Sequence, residues 1–563
     1  MGNEAGDGIN FTETYKKIKE RDPSRPIHYE RALLGENTDI FCPQYPSVVS
    51  LEKYASKKQS KPYISSEYSH AMGNSNGNLM DLWEVFYKEE NVQLQGGYIW
   101  DWIDQAFVEK DDEGNEFWAY GGDYGEGMPS DDNFLSNGVI SADYTPHPAL
   151  WEVKYVYQYI WFYPEDLENG KIRIRNLYDF IGLKDFKIIW KISANGKEKA
   201  TGILSDFEVA PHQSKTIELD LPAIEIKPDV EYFIDFSVVL KNAQPFKEPG
   251  FEIAHEQFKL PCSIPKQVTT TEYPSLSIQN ENDISVIGEN FVVTFDKSSG
   301  VISSYEINGY ELIQNGPQIN FWRPPNDNDK GSNMIGRLGI WRDVSNQVKL
   351  IDLKAEQISE SIVKITADYE LAPIGGKQTI VYSLYSDGKI EILDNLDLEN
   401  KDLPDLPRFG MRWEVPVNFD NLIYLGRGPH ENYIDRNSSA FVGLYEGKVA
   451  DQYFNYVRPQ ENGYKTDVRW FELRNENGIG IRVSSKELLG FSALHNPIED
   501  FDQETHTDFR HINDITKKEG VFITTDLKMM GVAGDNSWGA RPYEEYAIPA
   551  KNYSFKFSIE PIF

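Results

Sequence analysis

The hydrophobic pattern of the chain changes near residue 160, and this change limits the possible folds more than any other feature. Before it, predicted amphipathic helices alternate with short strand-like runs. After it, strands separated by Gly, Asn or Asp turns continue almost without helix to residue 563. Because alternating helices and strands favour a parallel sheet, whereas runs of strands favour antiparallel sandwiches, we predict an α/β part followed by a longer all-β part.

Hydrophobic periodicity and turn residues define the individual elements of this prediction. In the first part, helices are predicted over 11–21, 50–56 and 79–89, and strands over 27–30, 40–45, 63–68 and 95–102. Strands over 171–175, 186–192 and 231–240, with a hairpin signal at Asn195-Gly196, favour a β-sandwich over 161–262. A linker is predicted over 261–271, and a second, larger all-β domain over 272–563.

Length and charge exclude several classes of protein. A chain of 563 residues is expected to form about three to four domains. Its net charge of -33 would repel nucleic acid and anionic lipid, and it has no apolar run of about 18 residues that would predict a membrane span. Cys42 and Cys262 are its only cysteines, so neither a disulfide framework nor a thiolate zinc site is predicted.

Two carboxylates are candidates for the cleavage of a glycosidic bond. Cleavage with retention needs two carboxyl groups roughly 5 to 5.5 Å apart, and reactive residues of (β/α)8 barrels lie at the carboxyl ends of the strands. Glu4 stands in a glycine-rich loop before the first predicted helix, and Glu67 near the end of the predicted strand over 63–68. By pattern alone, Glu4 as a capping residue and Glu67 as a cap acceptor or ion-pair partner remain open alternatives.

A series of motifs resembles the large bacterial β-galactosidases of glycoside hydrolase family 2, in the order found in that family. In the first part they are Gly2-Asn3-Glu4-Ala5-Gly6, Cys42-Pro43-Gln44-Tyr45, residues 67–74 from Glu67 to Asn74, residues 96–102 from Gly96 to Trp102, Ser136-Asn137-Gly138, and residues 144–148. They continue with residues 323–329, 426–433, 460–463 and 534–538, so the resemblance covers essentially the whole chain.

The family resemblance implies a fold for each part of the chain. Residues 1–160 are expected to be the C-terminal part of a (β/α)8 TIM barrel that begins inside the barrel, and residues 161–262 an immunoglobulin-like β-sandwich. Residues 272–563 are expected to form the family's large C-terminal β-supersandwich, of the small-chain type. The N-terminal domains of the family and its first barrel strands would then be needed as partners to complete the barrel.

The resemblance also implies roles for individual residues. Glu4 is expected to be the general acid/base and Glu67 the nucleophile that forms a covalent galactosyl intermediate. The residues expected to bind substrate are Asn3, Tyr45, His70, Trp100, Asn137 and Trp538. Of these, Asn3 would bond the sugar 2-hydroxyl and Tyr45 would donate to the nucleophile. His70 is expected to contact sugar hydroxyls, while the two tryptophans would stack on apolar sugar faces.

Two metal ions are implied by the same resemblance. Asn137 and the backbone carbonyl of Phe134 resemble part of a sodium site, and Glu4 resembles a magnesium ligand beside the acid/base. The remaining ligands belong to family segments that this chain does not include. Mg²⁺ and Na⁺ are therefore expected in the full-length family enzyme rather than in this chain alone.

The predicted function is a retaining β-galactosidase that acts on terminal β-D-galactosides. One alternative is a family 2 enzyme for another sugar, such as a β-glucuronidase or β-mannosidase; another is a catalytically incomplete carbohydrate-binding fragment. A homo-oligomer is expected from the family, and the two cysteines are compatible with the cytoplasm or the periplasm. The sequence does not predict the natural galactoside or its linkage.

Overall fold

The computed structural model describes residues 1–125, 127–262, 264, 274–399, 402–502 and 510–563. Most of the predicted linker lies outside these residues. Within them the chain is mainly β-strand, with its α/β part at the start, so the predicted change of pattern is confirmed. No described helix is both long and apolar enough to cross a membrane.

The first part contains four helices and four strands. They are α1 (Ile9–Arg21), α2 (Val48–Ala55), β1 (Tyr63–Tyr68), α3 (Leu79–Tyr87), β2 (Leu94–Ile99), β3 (Phe107–Lys110), β4 (Glu116–Ala119) and α4 (Pro148–Val156). The predicted helices and the strands over 63–68 and 95–102 are confirmed, with shifts of up to three residues at their ends. The predicted strands over 27–30 and 40–45 are wrong as continuous strands, because single bridges replace a ladder at His28 and Ile40 and at Phe41 and Tyr63.

These bridges nevertheless continue the parallel arrangement of β1 and β2. In that pair, Tyr63 lies opposite Leu94 and Tyr68 opposite Ile99. A further parallel bridge joins Gln44 to Glu67. Because the carboxyl ends of parallel strands meet at one edge, the side chains that follow residues 40–45 and β1 lie next to each other.

The second part contains two antiparallel sheets around one core. Its strands are β5 (Ile160–Asp166), β6 (Lys171–Asn176), β7 (Phe186–Ala194), β8 (Lys197–Leu204), β9 (Ser214–Glu218), β10 (Tyr232–Leu240) and β11 (Glu252–Lys259). Strand orders are β11-β10-β7-β8 and β5-β6-β9. The predicted hairpin is confirmed: Asn195 and Gly196 have φ angles of 45° and 75°, as the twist of a two-residue hairpin requires.

The third part contains a five-stranded and a twelve-stranded sheet. The first five strands are β12 (Ser277–Asn280), β13 (Ile284–Ile287), β14 (Phe291–Phe295), β15 (Ile302–Ile307) and β16 (Tyr310–Ile313). The larger sheet contains β17 (Asn315–Asn320), β18 (Lys349–Ser359), β19 (Ile362–Leu371), β20 (Gly376–Tyr385), β21 (Ile390–Asp397), β22 (Arg408–Val415), β23 (Asn421–Gly428), β24 (Phe441–Lys448), β25 (Lys465–Arg474), β26 (Gly480–Leu494), β27 (Val521–Met529) and β28 (Tyr553–Ile562). Buried and less buried residues alternate strictly along β20, so one face of this sheet packs on the core and the other faces outward.

The helices of the third part differ from the nearly helix-free prediction. Besides α8 (Ile498–Phe501), three short helices follow β17, namely α5 (Asp327–Gly331), α6 (Met334–Leu338) and α7 (Ile340–Asn346). The Asn326 side chain accepts from the backbone N–H of Asp329, and the Asp329 side chain accepts from that of Asn326. This capping box starts α5, and the Asn-x-x-Asp spacing was a readable signal for it.

A loop that follows β1 is anchored in the third part by buried hydrogen bonds. Asn74 Nδ2 donates to Tyr433 Oη and to the Glu461 carbonyl, each at 2.8 Å. Arg436 donates to Asn74 Oδ1 at 2.9 Å and also to the Ser75 carbonyl. Gly73 has a φ of 58°, and a Cβ there would lie 2.2 Å from Asp327 Oδ2, so only glycine lets the loop pass. The third part thereby fixes the segment that follows Glu67.

Asp394 is a fully buried carboxylate in the core of the third part. Gln378 Nε2 donates to its Oδ1 at 2.6 Å, whereas Oδ2 has no hydrogen-bond partner among the described residues. Burial raises the pKa of Asp394 to about 7 because it disfavours the charged form, although the Gln378 hydrogen bond opposes this shift. The folded state therefore retains a proton that the unfolded chain loses at lower pH.

We expect Asp394→Asn to remove part of the pH dependence of stability. With the folded pKa raised, the stability contribution of Asp394 is complete below the unfolded pKa and is lost as pH rises through about 7. Between pH 5 and pH 8 the wild type should lose about 2 to 3 kcal/mol that the variant retains. Urea midpoints at both pH values measure this difference. Asp387→Asn, at an exposed turn residue, is the control; equal pH dependence in Asp394→Asn and the wild type would contradict the assignment.

Candidate active site

The first predicted carboxylate, Glu67, lies near the end of β1 and is 8% exposed. Gln44 Nε2 donates to its Oε1 at 2.9 Å, and Tyr45 Oη donates to its Oε2 at 2.8 Å. Both donors come from the neighbouring parallel segment. Because each carboxylate oxygen has its own donor, the side chain of Glu67 is held in one orientation.

The second predicted carboxylate, Glu4, is brought to the same place. Its Oε1 accepts from the same Gln44 nitrogen, at 3.2 Å. An oxygen of each carboxylate lies within hydrogen-bond reach of one nitrogen atom, so these two oxygens are at most about 6 Å apart. The Glu4 side chain is 55% exposed, and Arg31 Nη2 lies 3.4 Å from its Oε1. One carboxylate is thus buried and the other is open to solvent.

Tyr45 combines a buried phenol with two nearby carboxylates. Burial raises its pKa, and the hydrogen bond to Glu67 and the negative charges of Glu67 and Glu4 raise it further. The phenol therefore keeps its proton and acts as a hydrogen-bond donor to Glu67.

His70 lies three residues after Glu67 and is 1% exposed. Burial lowers its pKa to about 4, although the negative charge of Asp327 opposes the shift. Its ring is neutral near pH 7 for this reason. The Nδ1 atom lies 2.8 Å from Ser537 Oγ, and Nε2 lies 3.4 Å from Asn137 Nδ2.

Aromatic rings from two parts of the chain surround these polar groups. The Trp538 ring, 47% exposed, meets the edge of Tyr45 at 4.6 Å between centroids and that of His70 at 5.2 Å. Phe134 also stacks on His70, with 5.1 Å between ring centroids. A half-exposed tryptophan beside buried hydrogen-bonding groups suits a sugar, which has both apolar faces and hydroxyls.

The two remaining predicted residues lie near the site, with less contact. Trp100, 36% exposed, follows β2, and its backbone N–H donates to the Tyr68 carbonyl at 3.1 Å. Its main chain is thus next to the residue that follows Glu67. Asn3 is exposed and directly precedes Glu4.

The predicted sodium ligands are adjacent in the structure. Asn137 Nδ2 donates to the Phe134 carbonyl at 3.1 Å, while Asn137 Oδ1 is buried with no hydrogen-bond partner among the described residues. This unpartnered oxygen fits a ligand of a hard cation such as Na⁺.

Within this chain, Glu4 is the only predicted magnesium ligand, since the others were expected from family segments that the chain does not include, and the ion stays a prediction for the longer enzyme. The Arg31 guanidinium already places a fixed positive charge beside the Glu4 carboxylate. In addition, no group of three or more His, Cys, Asp or Glu residues within the described part of the chain is arranged to hold a metal ion.

Sequence reasoning assigned no role to several residues that build this site. They are Gln44, Arg31, Ser537 and Asn328. Gln44 had a usable signal, because it directly precedes Tyr45 at the end of a predicted strand. Asn328 lies in the motif over 323–329, but nothing in that motif indicated its link through Ser537 to His70, and Arg31 had no signal because only the fold brings it near Glu4.

Sequence models of three protein families match consecutive stretches of the chain. "Glycosyl hydrolases family 2, TIM barrel domain" matches residues 1–162. "Beta-galactosidase, domain 4" matches residues 172–261, and "Beta galactosidase small chain" matches residues 287–559.

Individual relatives extend this similarity over the whole chain. A β-galactosidase of Priestia megaterium is 36% identical over 100% of this chain and 54% of its own length. Those of Photobacterium profundum and Halalkalibacterium halodurans are 30% and 31% identical, over 100% of this chain and 56% and 55% of their own lengths. The chain thus spans about half the length of the curated relatives it matches. With three consecutive family matches and similarity over its full length, the chain belongs to glycoside hydrolase family 2.

Proposed function

We propose that this chain carries the catalytic carboxylates of a retaining β-galactosidase, which hydrolyses terminal β-D-galactosides by double displacement. One observation carries the proposal: Gln44 Nε2 hydrogen-bonds both Glu4 and Glu67. One oxygen of each carboxylate lies within about 6 Å of the other, which is compatible with the roughly 5 to 5.5 Å between the carboxyl groups of retaining enzymes. The β-galactosidase names of the relatives support the choice of sugar.

The environments of the two carboxylates suit different roles. Glu67 is buried and oriented by two donors, as a nucleophile that attacks one carbon atom should be. Glu4 is exposed, so it can exchange protons with the departing oxygen and then with water. Hence Glu67 forms and releases the galactosyl ester, while Glu4 donates a proton in the first step and accepts one in the second.

Tyr45 assists the release of the nucleophile. Its phenol stays protonated and donates to Glu67 Oε2. This hydrogen bond stabilises the carboxylate that is regenerated when water attacks the galactosyl ester. A sodium ion, held by Asn137 Oδ1 and the Phe134 carbonyl, would supply positive charge for binding a sugar hydroxyl. No step is assigned to magnesium.

Exposed apolar side chains of the α/β part support the view that catalysis needs further chain. Several apolar side chains of this part are exposed, including Val92 (78%) and Phe107 (68%). Others are Tyr98, Trp102 and Val108. Apolar surface of this kind marks an interface, and a half-barrel leaves strand edges unpaired. We propose that the missing barrel strands and N-terminal domains cover it, in an assembly of like subunits.

We expect this chain alone to hydrolyse p-nitrophenyl β-D-galactoside very slowly. Joined to the part of the Priestia megaterium relative that the match does not cover, it should gain at least about a hundredfold in turnover, because the substrate would then be positioned. We call this product the completed enzyme. Turnover of a panel of nitrophenyl glycosides is measured for the chain alone and for the completed enzyme.

Two results of this panel would contradict the proposal. Rapid galactoside turnover by the chain alone would show that its α/β part needs no further chain for catalysis. Faster turnover of the glucuronide or the mannoside by the completed enzyme would favour another specificity within the family.

A further inference from the structure

A chain of buried hydrogen bonds connects His70 with the third part. Ser537 Oγ lies 2.8 Å from His70 Nδ1 and donates to Asn328 Oδ1 at 2.7 Å. Asn328 Nδ2 in turn donates to the carbonyls of Val532 and Ala533, at 3.1 and 3.0 Å. The three side chains of His70, Asn328 and Ser537 are 1%, 1% and 6% exposed, so water does not compete for these bonds.

The backbone carbonyls of Val532 and Ala533, at one end of this series of hydrogen bonds, determine which atom donates and which accepts in each bond. Because a carbonyl only accepts, both protons of Asn328 Nδ2 point toward the main chain, and Asn328 Oδ1 must accept. The single hydroxyl proton of Ser537 is used on that oxygen. Ser537 Oγ can therefore only accept from His70, which places the ring proton on Nδ1.

The contact of His70 Nε2 with Asn137 independently indicates the same tautomer. Asn137 Nδ2 donates to the Phe134 carbonyl at 3.1 Å, which orients the amide, and it also faces His70 Nε2 at 3.4 Å. An N–H that faces Nε2 requires this nitrogen to accept. Asn137 Oδ1 is then turned away from the ring and is left as the unpartnered acceptor.

We propose that Asn328 and Ser537 are positioning residues that hold His70 as the Nδ1–H tautomer, so that the Asn137 amide keeps Oδ1 turned away from the ring, open to the proposed sodium ion and, through it, to a sugar hydroxyl. The consequence for sugar binding rests on the proposed function, whereas the tautomer does not. Through this relay, the third part sets the donor and acceptor pattern of a site whose carboxylates lie in the first part.

Packing around α5 supports a structural reason for this arrangement. Gly331 ends α5, and a Cβ there would lie 1.8 Å from the Ser537 carbonyl oxygen. The end of α5 and the Ser537 backbone are therefore in direct contact. Asn328, on the same helix, is held beside Ser537 by this close approach.

Selective ¹⁵N labelling of histidine in the whole chain tests the tautomer directly. A long-range ¹H–¹⁵N correlation spectrum, with His70→Gln to identify the His70 signals, should show a protonated Nδ1 and an unprotonated Nε2. Asn328→Ala frees the Ser537 hydroxyl to donate to Nδ1, so a measurable fraction of the proton should move to Nε2, against the remaining constraint from Asn137 Nδ2. Ser537→Ala removes the acceptor of Nδ1–H and should give a mixture of tautomers.

Ser75→Ala is the matched control. Ser75 is also buried and also bonds His70, but its hydroxyl donates to the backbone carbonyl, at 3.2 Å. It should leave the tautomer unchanged. A proton on Nε2 in the wild type, or an unchanged tautomer in both Asn328→Ala and Ser537→Ala, would overturn the proposal.

Kinetics of the completed enzyme test the consequence for binding. Ser537→Ala should raise KM for p-nitrophenyl β-D-galactoside about tenfold, with a smaller change in kcat. In the wrong tautomer, the donors and acceptors of His70 and Asn137 no longer match the sugar hydroxyls. An unchanged KM despite an altered tautomer would overturn the link to sugar binding. Absence of galactoside hydrolysis with the proton on Nδ1 would contradict the proposed function and support the tautomer.

Discussion

In the completed enzyme, Glu67→Gln is expected to lower kcat for p-nitrophenyl β-D-galactoside at least about a thousandfold. An amide does not form the galactosyl ester, so the covalent route is lost and only slow direct hydrolysis remains. The loss should be similar for galactosides with good and with poor leaving groups, because the carboxylate of Glu67 is needed as the nucleophile for both. Steady-state rates on two such substrates measure it.

The fold should tolerate this substitution. Glutamine has the shape of glutamate, and its amide oxygen can still accept from Gln44 or from Tyr45. Circular dichroism and the thermal midpoint should therefore stay close to those of the wild type. Glu84→Gln, at an exposed carboxylate on α3, is the control and should retain full activity. A Glu67→Gln enzyme that works at the wild-type rate would exclude Glu67 as the nucleophile.

Local sequence signals predicted much of the fold. Strand β1 was predicted at its observed ends, and the hairpin at Asn195-Gly196 follows from a dipeptide that accepts two positive φ angles. Three of the four helices of the first part, α1, α2 and α3, follow from their periodicity, whereas α4 was not predicted. The strand over 27–30 was predicted wrongly because its composition is that of a strand, whereas in the structure His28 makes only a single bridge to Ile40. Composition does not distinguish such a segment from a strand that forms a continuous hydrogen-bonded ladder.

Residues of the candidate site were predictable only where they belong to a motif that resembles the family. The resemblance selected Glu4 and Glu67, and the parallel arrangement explains why Gln44 lies beside Glu67. The contact between His70 and Ser537 joins residues 467 positions apart, so no local pattern encodes it. Such contacts depend on how the third part packs on the loop after β1, which is a property of the whole fold.

Replacing the other carboxylate should have an effect that depends on the substrate. In the completed enzyme, Glu4→Ala is expected to slow hydrolysis of galactosides with poor leaving groups by about 10² to 10⁴, the usual contribution of general acid catalysis. A dinitrophenyl galactoside, whose leaving group departs without a proton, should lose much less in the first step. The Glu4 side chain is 55% exposed, so its removal should change stability by only about 0.5 kcal/mol.

The two carboxylate variants together separate acid/base catalysis from nucleophilic catalysis. Once Glu4 is absent, attack of water on the galactosyl ester lacks a base, whereas azide needs none; azide should therefore accelerate Glu4→Ala and yield the β-galactosyl azide. It should give no such product with Glu67→Gln, in which the ester does not form. Glu36→Ala, which removes an exposed glutamate from the same part of the chain, is the control for the change in charge. Equal losses for good and poor leaving groups in Glu4→Ala would mean that Glu4 transfers no proton to the departing oxygen, and the exposed carboxylate would then serve only to position Gln44 and Arg31.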